Sequence, residues 1–331
     1  MLKLGLLGCG RIGQIHGMNA ANSDKAKLVA LSDAVPEAAQ AMAAKTHAEI
    51  RETDEIINAD DIDAILVCTS TPTHYDIIHK AAAAGKAIFC EKPLDMSIAR
   101  SRECTAVTQK HDVPMMLAFN RRFDPNFAIL KDKVVSGEIG DVEMITILSR
   151  DPAPAPMHIL KNSGGLFQDM MIHDFDMARF LLGEEPVEIQ AAGSVLVDPE
   201  IGEIGDVDTA SVILKTASGK ICQISNSRRA SYGYDQRIEI HGSKGMLRAN
   251  NQLENTVEIA NENGFSKAPA QHFFLERYEL AYRRELNHFI DSVMENTEIT
   301  PSGVDGVRAQ TLAELAMSSL KEGKTMTVPL D

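Results

Sequence analysis

The sequence predicts an α/β chain in two parts: an N-terminal parallel sheet of βαβ units, then an α+β domain with a large open, mainly antiparallel sheet. Three observations predict it. Short apolar runs alternate with helical patterns over residues 1–120. A glycine-rich turn, Gly8-Cys9-Gly10-Arg11-Ile12-Gly13, stands between the first run and the first helix. Beyond residue 120 the pattern becomes strands joined by Gly, Asp and Asn turns. Alternating strands and helices argue for parallel pairing, and strands joined by short turns for antiparallel pairing. For 331 residues, at ~150 per domain, the expected division is 1–120 and 121–331.

In the first part the runs 2–7, 28–31, 64–68, 87–90 and 115–119 read as strands, with a weak one at 47–50. Segments 37–45, 74–84 and 98–111 are amphipathic or Ala-rich and read as helices. Gly8, Gly10 and Gly13 permit a tight turn and close backbone approach to a pyrophosphate, while Arg11 and Ile12 open a helix whose first N–H groups are free. Asp33, twenty residues after Gly13, ends the second run and is placed to accept hydrogen bonds from a ribose diol. Together these form the dinucleotide-binding fingerprint of a Rossmann parallel sheet. The acid favours NAD over NADP, because a carboxylate repels a 2′-phosphate. The alternative is an ordinary βα turn followed by a chance Asp.

Two further loops follow strand ends, where open α/β sheets bind ligands. Thr69, Thr71, Pro72 and His74 follow the fourth run; Glu91, Lys92 and Pro93 follow the fifth. Both are expected at the cofactor. Alternatively the hydroxyl cluster caps the helix starting at His74, and Lys92 is simply solvated.

In the second part a helix is expected over 124–135, a strand over 142–150 and a loop around Pro152, Pro154 and Pro156. A helix over 165–182 ends at Gly183. Strands at 209–216, 221–227, 236–241 and 256–260 follow, then helices at 274–296 and 303–322 and a terminal strand at 326–328. On the helix over 165–182, Asp169, His173 and Asp176 stand at i, i+4 and i+7 and share a face. A histidine beside a carboxylate suits general-base work, its unperturbed pKa of ~6.5 lying near working pH. The same pattern also fits a wet acidic face, or a metal held by Asp169 and His173. No third ligand has matching spacing, so no metal is expected. Tyr232 and Tyr234 sit at a strand end, as sugar-contacting aromatics or as a hairpin turn.

Acidic residues outnumber basic ones 47 to 33, a net charge of −14, which argues against nucleic acid as a partner. No apolar run approaches the ~20 residues of a membrane span. The apolar stretch after Lys3 is interrupted at Arg11 and does not read as a signal peptide, so a cytoplasmic protein is expected. Five cysteines (9, 68, 90, 104 and 222) without CxxC spacing read as buried reduced thiols.

The chain resembles the glucose–fructose oxidoreductase/inositol dehydrogenase family over essentially its whole length. The resemblance rests on Gly8 to Gly13, on Glu91-Lys92-Pro93, and on Asp169 with His173 in the run from Gly164 to Asp176. Within that family Ser149-Arg150-Asp151-Pro152, the run from His173 to Leu181, and Tyr232-Gly233-Tyr234-Asp235-Gln236-Arg237 are similar to bacterial inositol 2-dehydrogenases. The resemblance implies NAD-dependent oxidation of a cyclic polyol, foremost myo-inositol to 2-keto-myo-inositol. It implies Lys92, Asp169 and His173 as the catalytic group, with Lys92 touching both cofactor and reacting hydroxyl and His173 as base. Arg121, Asp151, His158, Asp176 and Tyr234 would read the remaining hydroxyls. The open sheet would pack against its copy in a dimer or tetramer. Oxidation of scyllo-inositol or another sugar, dinucleotide sensing without turnover, and hydrolytic or metal-dependent chemistry on the same fold stay open. The joint presence of Lys92, Asp169 and His173 argues against a pure sensor.

Overall fold

The computed structural model describes residues 1–330. The chain divides into two compact units, Met1–Phe123 with Leu280–Arg308, and Asp124–Glu279 with the residues from 309 onward.

The first unit is built on six strands: β1 (Leu2–Leu7), β2 (Ala26–Ser32), β3 (Glu49–Ile50), β4 (Ala64–Val67), β5 (Ala87–Glu91) and β6 (Met115–Ala118). They pair in the order β3-β2-β1-β4-β5-β6, every pair parallel. The order reverses between β1 and β4, which makes their carboxyl ends the expected ligand crevice. All of β4 and β6 is buried, as apolar runs of a sheet covered on both faces should be.

One segment departs from the sequence reading. Residues 280–308 were expected in the second domain, and 274–296 as one helix. The helix breaks at Tyr278 into Phe274–Arg277 and Glu279–Glu295, and residues 280–308 belong to the first unit. The reason lies in the apolar face of helix Glu279–Glu295. Its Leu286, Phe289 and Ile290 are buried in one cluster with Leu4, Leu6, Phe89 and Ala118. Phe289 meets Phe89 edge-on at 5.6 Å.

The second unit contains a seven-stranded sheet and a separate hairpin. The strands are β7 (Val142–Arg150), β8 (Pro186–Ser194), β9 (Thr209–Thr216), β10 (Ile221–Ser227), β11 (Asp235–Gly242), β12 (Gly245–Ala249), β13 (Glu258–Asn261), β14 (Gly264–Lys267) and β15 (Met326–Thr327). The large sheet has the order β12-β11-β7-β10-β9-β8-β15. Its pairs are antiparallel except β7 with β10. Burial alternates strictly along most of β9 and β10, so one face is packed and the other open. Helix Ile172–Leu182 covers the packed face at β7 and β10. The segment 256–260, expected in the main sheet, instead forms the exposed two-stranded hairpin β13–β14.

Helix Pro125–Val135 shows why its sequence starts where it does. Asp124 Oδ1 accepts the N–H groups of Asn126 and Phe127 at 3.0 and 3.1 Å, and proline stands at the first position. The other oxygen of Asp124 pairs with Arg277, both side chains being 1% exposed. Among the described residues no helix is long and apolar enough to cross a membrane.

Candidate active site

The turn after β1 is a cradle made of backbone. Gly8 has φ +94°, and a Cβ there would lie 2.5 Å from the Cys68 carbonyl oxygen at the end of β4. A Cβ on Gly13 would lie 1.9 Å from Gly8 O, so helix Arg11–Ala21 can approach the turn only with glycine at that place. Gly10 is different: a Cβ there meets nothing within 4 Å, and the residue faces open space. The helix has no side-chain cap and no acid in its first turn, so its positive end is not neutralised by a side chain of its own, as suits an anion site. Asp33 ties the cradle to β2. Its Oδ2 accepts the Cys9 N–H at 2.5 Å and its Oδ1 accepts the Val35 N–H at 2.7 Å. Each carboxylate oxygen keeps a further acceptor site. Burial, with Asp33 adding to it, pushes the Cys9 thiol up to about 11. A helix end without a side-chain cap, an open Gly10 and an acceptor at the end of β2 fit the pyrophosphate and ribose of a dinucleotide.

The loops after β4 and β5 are joined by histidines. His74, expected at the cofactor, is 1% exposed. Its ring nitrogens contact Pro93 O at 2.9 Å and Thr69 O at 3.0 Å, so the ring clamps the two loops together and positions them. The hydroxyl cluster does not cap the helix at His74; Thr73 Oγ1 donates to Thr69 Oγ1 at 2.7 Å and lies 2.8 Å from Ser70 O. Thr71 and Pro72 form a short 3₁₀ turn with Thr73. Lys92, half-buried, precedes Pro93 through a cis peptide bond. Sequence reasoning missed His16. It is fully buried, its Nε2 is 2.9 Å from Glu91 Oε1, and its ring meets Phe89 and Tyr282 edge-on. It links the helix of the glycine turn to the strand end before Lys92. A lone histidine on a helix carries no sequence signal for this.

In the second unit the expected uniform helix over 165–182 is interrupted. Residues Phe167–Met171 form a π-turn, and α-helix resumes over Ile172–Leu182, ending at Gly183 in the left-handed conformation. A π-turn inserts a residue, shifts angular register, and is found mostly where side chains must be aimed for function. The shared face is accordingly divided. Asp169, within the π-turn, keeps a side chain 35% exposed, and His173 is half-buried. Asp176 turns inward at 1% exposure, 3.7 Å from Arg179 Nη1. Beside them Asp174 is fully buried and accepts a hydrogen bond from Asn226 Nδ2 at 2.9 Å.

Arg228, which the sequence analysis passed over, follows β10 and is 1% exposed. Its Nη1 lies 3.6 Å from Asp169 Oδ2 and its Nη2 lies 3.9 Å from Asp206 Oδ2. Two adjacent arginines after a strand carry no signal in the sequence that one of them is buried.

The other residues expected at the substrate are dispersed in character. Arg121 is buried in the 3₁₀ turn after β6. Asp151 is half-buried, its N–H donating to Ser227 O at 3.0 Å, and His158 is exposed. Tyr234 is 6% exposed and packs edge-on against Tyr278 at 6.0 Å, while Tyr232 is half exposed at 49%. Tyr232 donates to Asp235 Oδ2 at 2.7 Å and accepts from Arg150 Nη1 at 3.1 Å.

Known proteins place these features in a family. Residues 2–119 match the oxidoreductase family with an NAD-binding Rossmann fold, and residues 127–248 match the GFO/IDH/MocA C-terminal domain. The inositol 2-dehydrogenase of Rhizobium meliloti is 50% identical, covering 99% of each chain. The myo-inositol 2-dehydrogenase of Thermotoga maritima is 46% identical over 98% of each. The scyllo-inositol dehydrogenase of Lactobacillus casei, crystallised with NAD(H) and scyllo-inositol, is 31% identical, with a TM-score of 0.92 over 99% of each chain. With a glycine cradle in its first unit and full-length likeness to these dehydrogenases, the chain belongs to the GFO/IDH/MocA family of NAD-binding oxidoreductases.

Proposed function

We propose that the chain is an NAD-dependent dehydrogenase that oxidises one ring hydroxyl of an inositol, foremost myo-inositol to 2-keto-myo-inositol. The observation that carries the cofactor half is the glycine cradle of Gly8, Gly10 and Gly13 at the start of helix Arg11–Ala21, which no side chain caps, with Asp33 at the end of β2. The substrate half is supported by relatives that match this chain end to end and are named for inositol. Bound NAD+ supplies the hydride acceptor.

The remaining chemistry falls to side chains. His173 accepts the hydroxyl proton. Asp169 orients His173 and balances the positive charge that the imidazole gains. Lys92 donates a hydrogen bond to the same oxygen and steadies its developing negative charge. Thr69, Thr71, Pro72, Glu91 and Lys92 frame the cofactor from the β4 and β5 loops, with His74 and His16 holding those loops. Arg121, Asp151, His158, Asp176 and Tyr234 supply polar groups for other hydroxyls, with Tyr232 beside them as the more exposed aromatic. A cytoplasmic location suits a chain that uses NAD and small polyols.

The same reading includes self-association through the open face of the large sheet. Ile221, Met144, His241 and Met246 stand directly opposite one another across β10, β7, β11 and β12. Ile221, Met144 and Met246 are 36%, 45% and 43% exposed, an apolar row that a second copy would cover. Sedimentation at micromolar concentration checks this, and a species of 36.1 kDa would count against it.

NADH production by the purified protein with myo-inositol, scyllo-inositol and aldoses tests the activity. The expected result is turnover with inositols, fastest with the myo isomer. Faster turnover of scyllo-inositol would favour the reading supported by the likeness to the Lactobacillus casei enzyme. Turnover of aldoses alone would overturn the substrate assignment.

A further inference from the structure

We infer that Arg228 is a positioning residue for Asp169, and that Asp206 holds Arg228 to the base of the π-turn. The inference rests on the proposed place of Asp169 in the catalytic group.

The three residues are held by different parts of the second unit. Asp169 lies in the π-turn, Asp206 follows helix Pro199–Glu203, and Arg228 follows β10. Asp206 is bound to the base of the π-turn: its Oδ1 accepts the Leu166 N–H at 3.0 Å. That approach depends on Gly165, which has φ +83° and whose Cβ would lie 2.7 Å from Asp206 Oδ1. Arg228 is fixed from the other side, its N–H donating to Asp208 O at 2.8 Å. Its guanidinium then stands between two carboxylates, 3.6 Å from that of Asp169 and 3.9 Å from that of Asp206.

Burying an arginine is costly, and a well-packed apolar side chain of similar volume usually serves stability as well or better. Arg228 is among the largest fully buried side chains, yet its Nε and Nη2 make no hydrogen bond among the described residues. As a device for folding alone the arrangement is poor. As a device for aiming a carboxylate it is apt. The π-turn fixes the Asp169 backbone, and the cation limits where its side chain can swing. Only a planar fork spans two carboxylates from one buried stem; a lysine ammonium would favour one of them.

The test compares kcat for inositol oxidation in wild type, Arg228→Met, Arg228→Lys, Asp169→Asn and the double variant Asp169→Asn/Arg228→Met. NAD+ affinity and thermal midpoint are measured alongside. Arg228→Met should lose roughly 10–100-fold in kcat, the usual effect of removing an orienting partner, with NAD+ affinity kept. Arg228→Lys should recover part of the loss. In the Asp169→Asn background Arg228→Met should cost little more, because residues acting through one another are non-additive. Equal losses in both backgrounds would show Arg228 acting independently of Asp169 and would overturn the inference, as would wild-type turnover in Arg228→Met. If Arg228→Met does not fold, Asp206→Asn serves in its place. The amide oxygen still accepts the Leu166 N–H, but the second charge on Arg228 is gone, and the expected loss again vanishes beside Asp169→Asn. Wild-type turnover in Asp169→Asn alone would instead overturn the catalytic reading of Asp169, and the inference with it.

Discussion

The two units build their candidate sites from different materials. The first uses backbone: a glycine turn, an uncapped helix end, and loops clamped through the carbonyls of Thr69 and Pro93. The second uses charged side chains brought from distant parts of the chain, Asp169, Asp206 and Arg228 around an irregular helical turn. Backbone groups point where the fold puts them, and they suit a ligand whose phosphates and riboses never vary. Side-chain clusters can be retuned one residue at a time, and under the proposed function they suit the work of choosing a substrate and moving a proton.

The difference is sharpest at His173. His173→Ala should lower kcat by about 10²–10⁴-fold while NAD+ affinity stays as in wild type. Single-turnover kinetics and cofactor titration separate the two quantities. A near-normal kcat would remove proton transfer from the second unit and turn attention to Lys92.

The next effect belongs to the first unit. Asp33 should disfavour NADP by roughly 10–200-fold, about 1.4–3 kcal/mol at about 1.4 kcal/mol per tenfold. The comparison of kcat/KM for the two cofactors decides it, and equal efficiency would strip Asp33 of that role.

Glycines break the comparison from the other direction. Gly13→Ala puts a methyl 1.9 Å from Gly8 O, so the turn must distort and the protein should lose about 1–3 kcal/mol of stability together with NAD+ binding. Gly10→Ala meets nothing within 4 Å and should keep the thermal midpoint while weakening NAD+ alone. Parallel losses in both variants would falsify the distinction between packing and ligand-facing glycines.

The smallest expected effect is in the second unit. Burial alone would raise the Asp235 carboxyl, but hydrogen bonds from Arg237, Tyr232 and Asn251 outweigh it and hold the group below the usual carboxylate range. A folded-state value below the unfolded one stabilises the protein above about pH 4, and the advantage is lost as pH falls through the folded value. Asp235→Asn should therefore cost about 1 kcal/mol near neutrality and progressively less on acidification. Thermal denaturation across that range would show it; a constant difference at all pH values would mean the cost is steric.

Legibility in the sequence followed the same division. Each βα step of the first unit is written in neighbouring residues, and a glycine forced by a close contact is visible without knowing the contact. The dinucleotide turn, Asp33 at the end of the second strand and the parallel pairing could be read that way, though not the order of the strands. The pairing of Arg228 with Asp169 and Asp206 could not, because a buried arginine and a solvated one look alike in a string. The π-turn was hidden too, since periodicity over 165–182 tolerates one inserted residue. The segment 274–296 is legible as helix, but nothing in its own residues says which core the apolar face of Glu279–Glu295 will enter.

The core of the first unit contains Leu286, Phe289 and Ile290, so translation of residues 1–123 does not deliver a complete folding unit. Residues 124–279 must be added first, which at about 5–20 residues per second takes on the order of 10–30 s. Through that interval the surface around Leu4, Leu6 and Phe89 stays uncovered on the ribosome, a natural window for chaperones, and a nascent chain cut short before residue 290 would keep it open to aggregation.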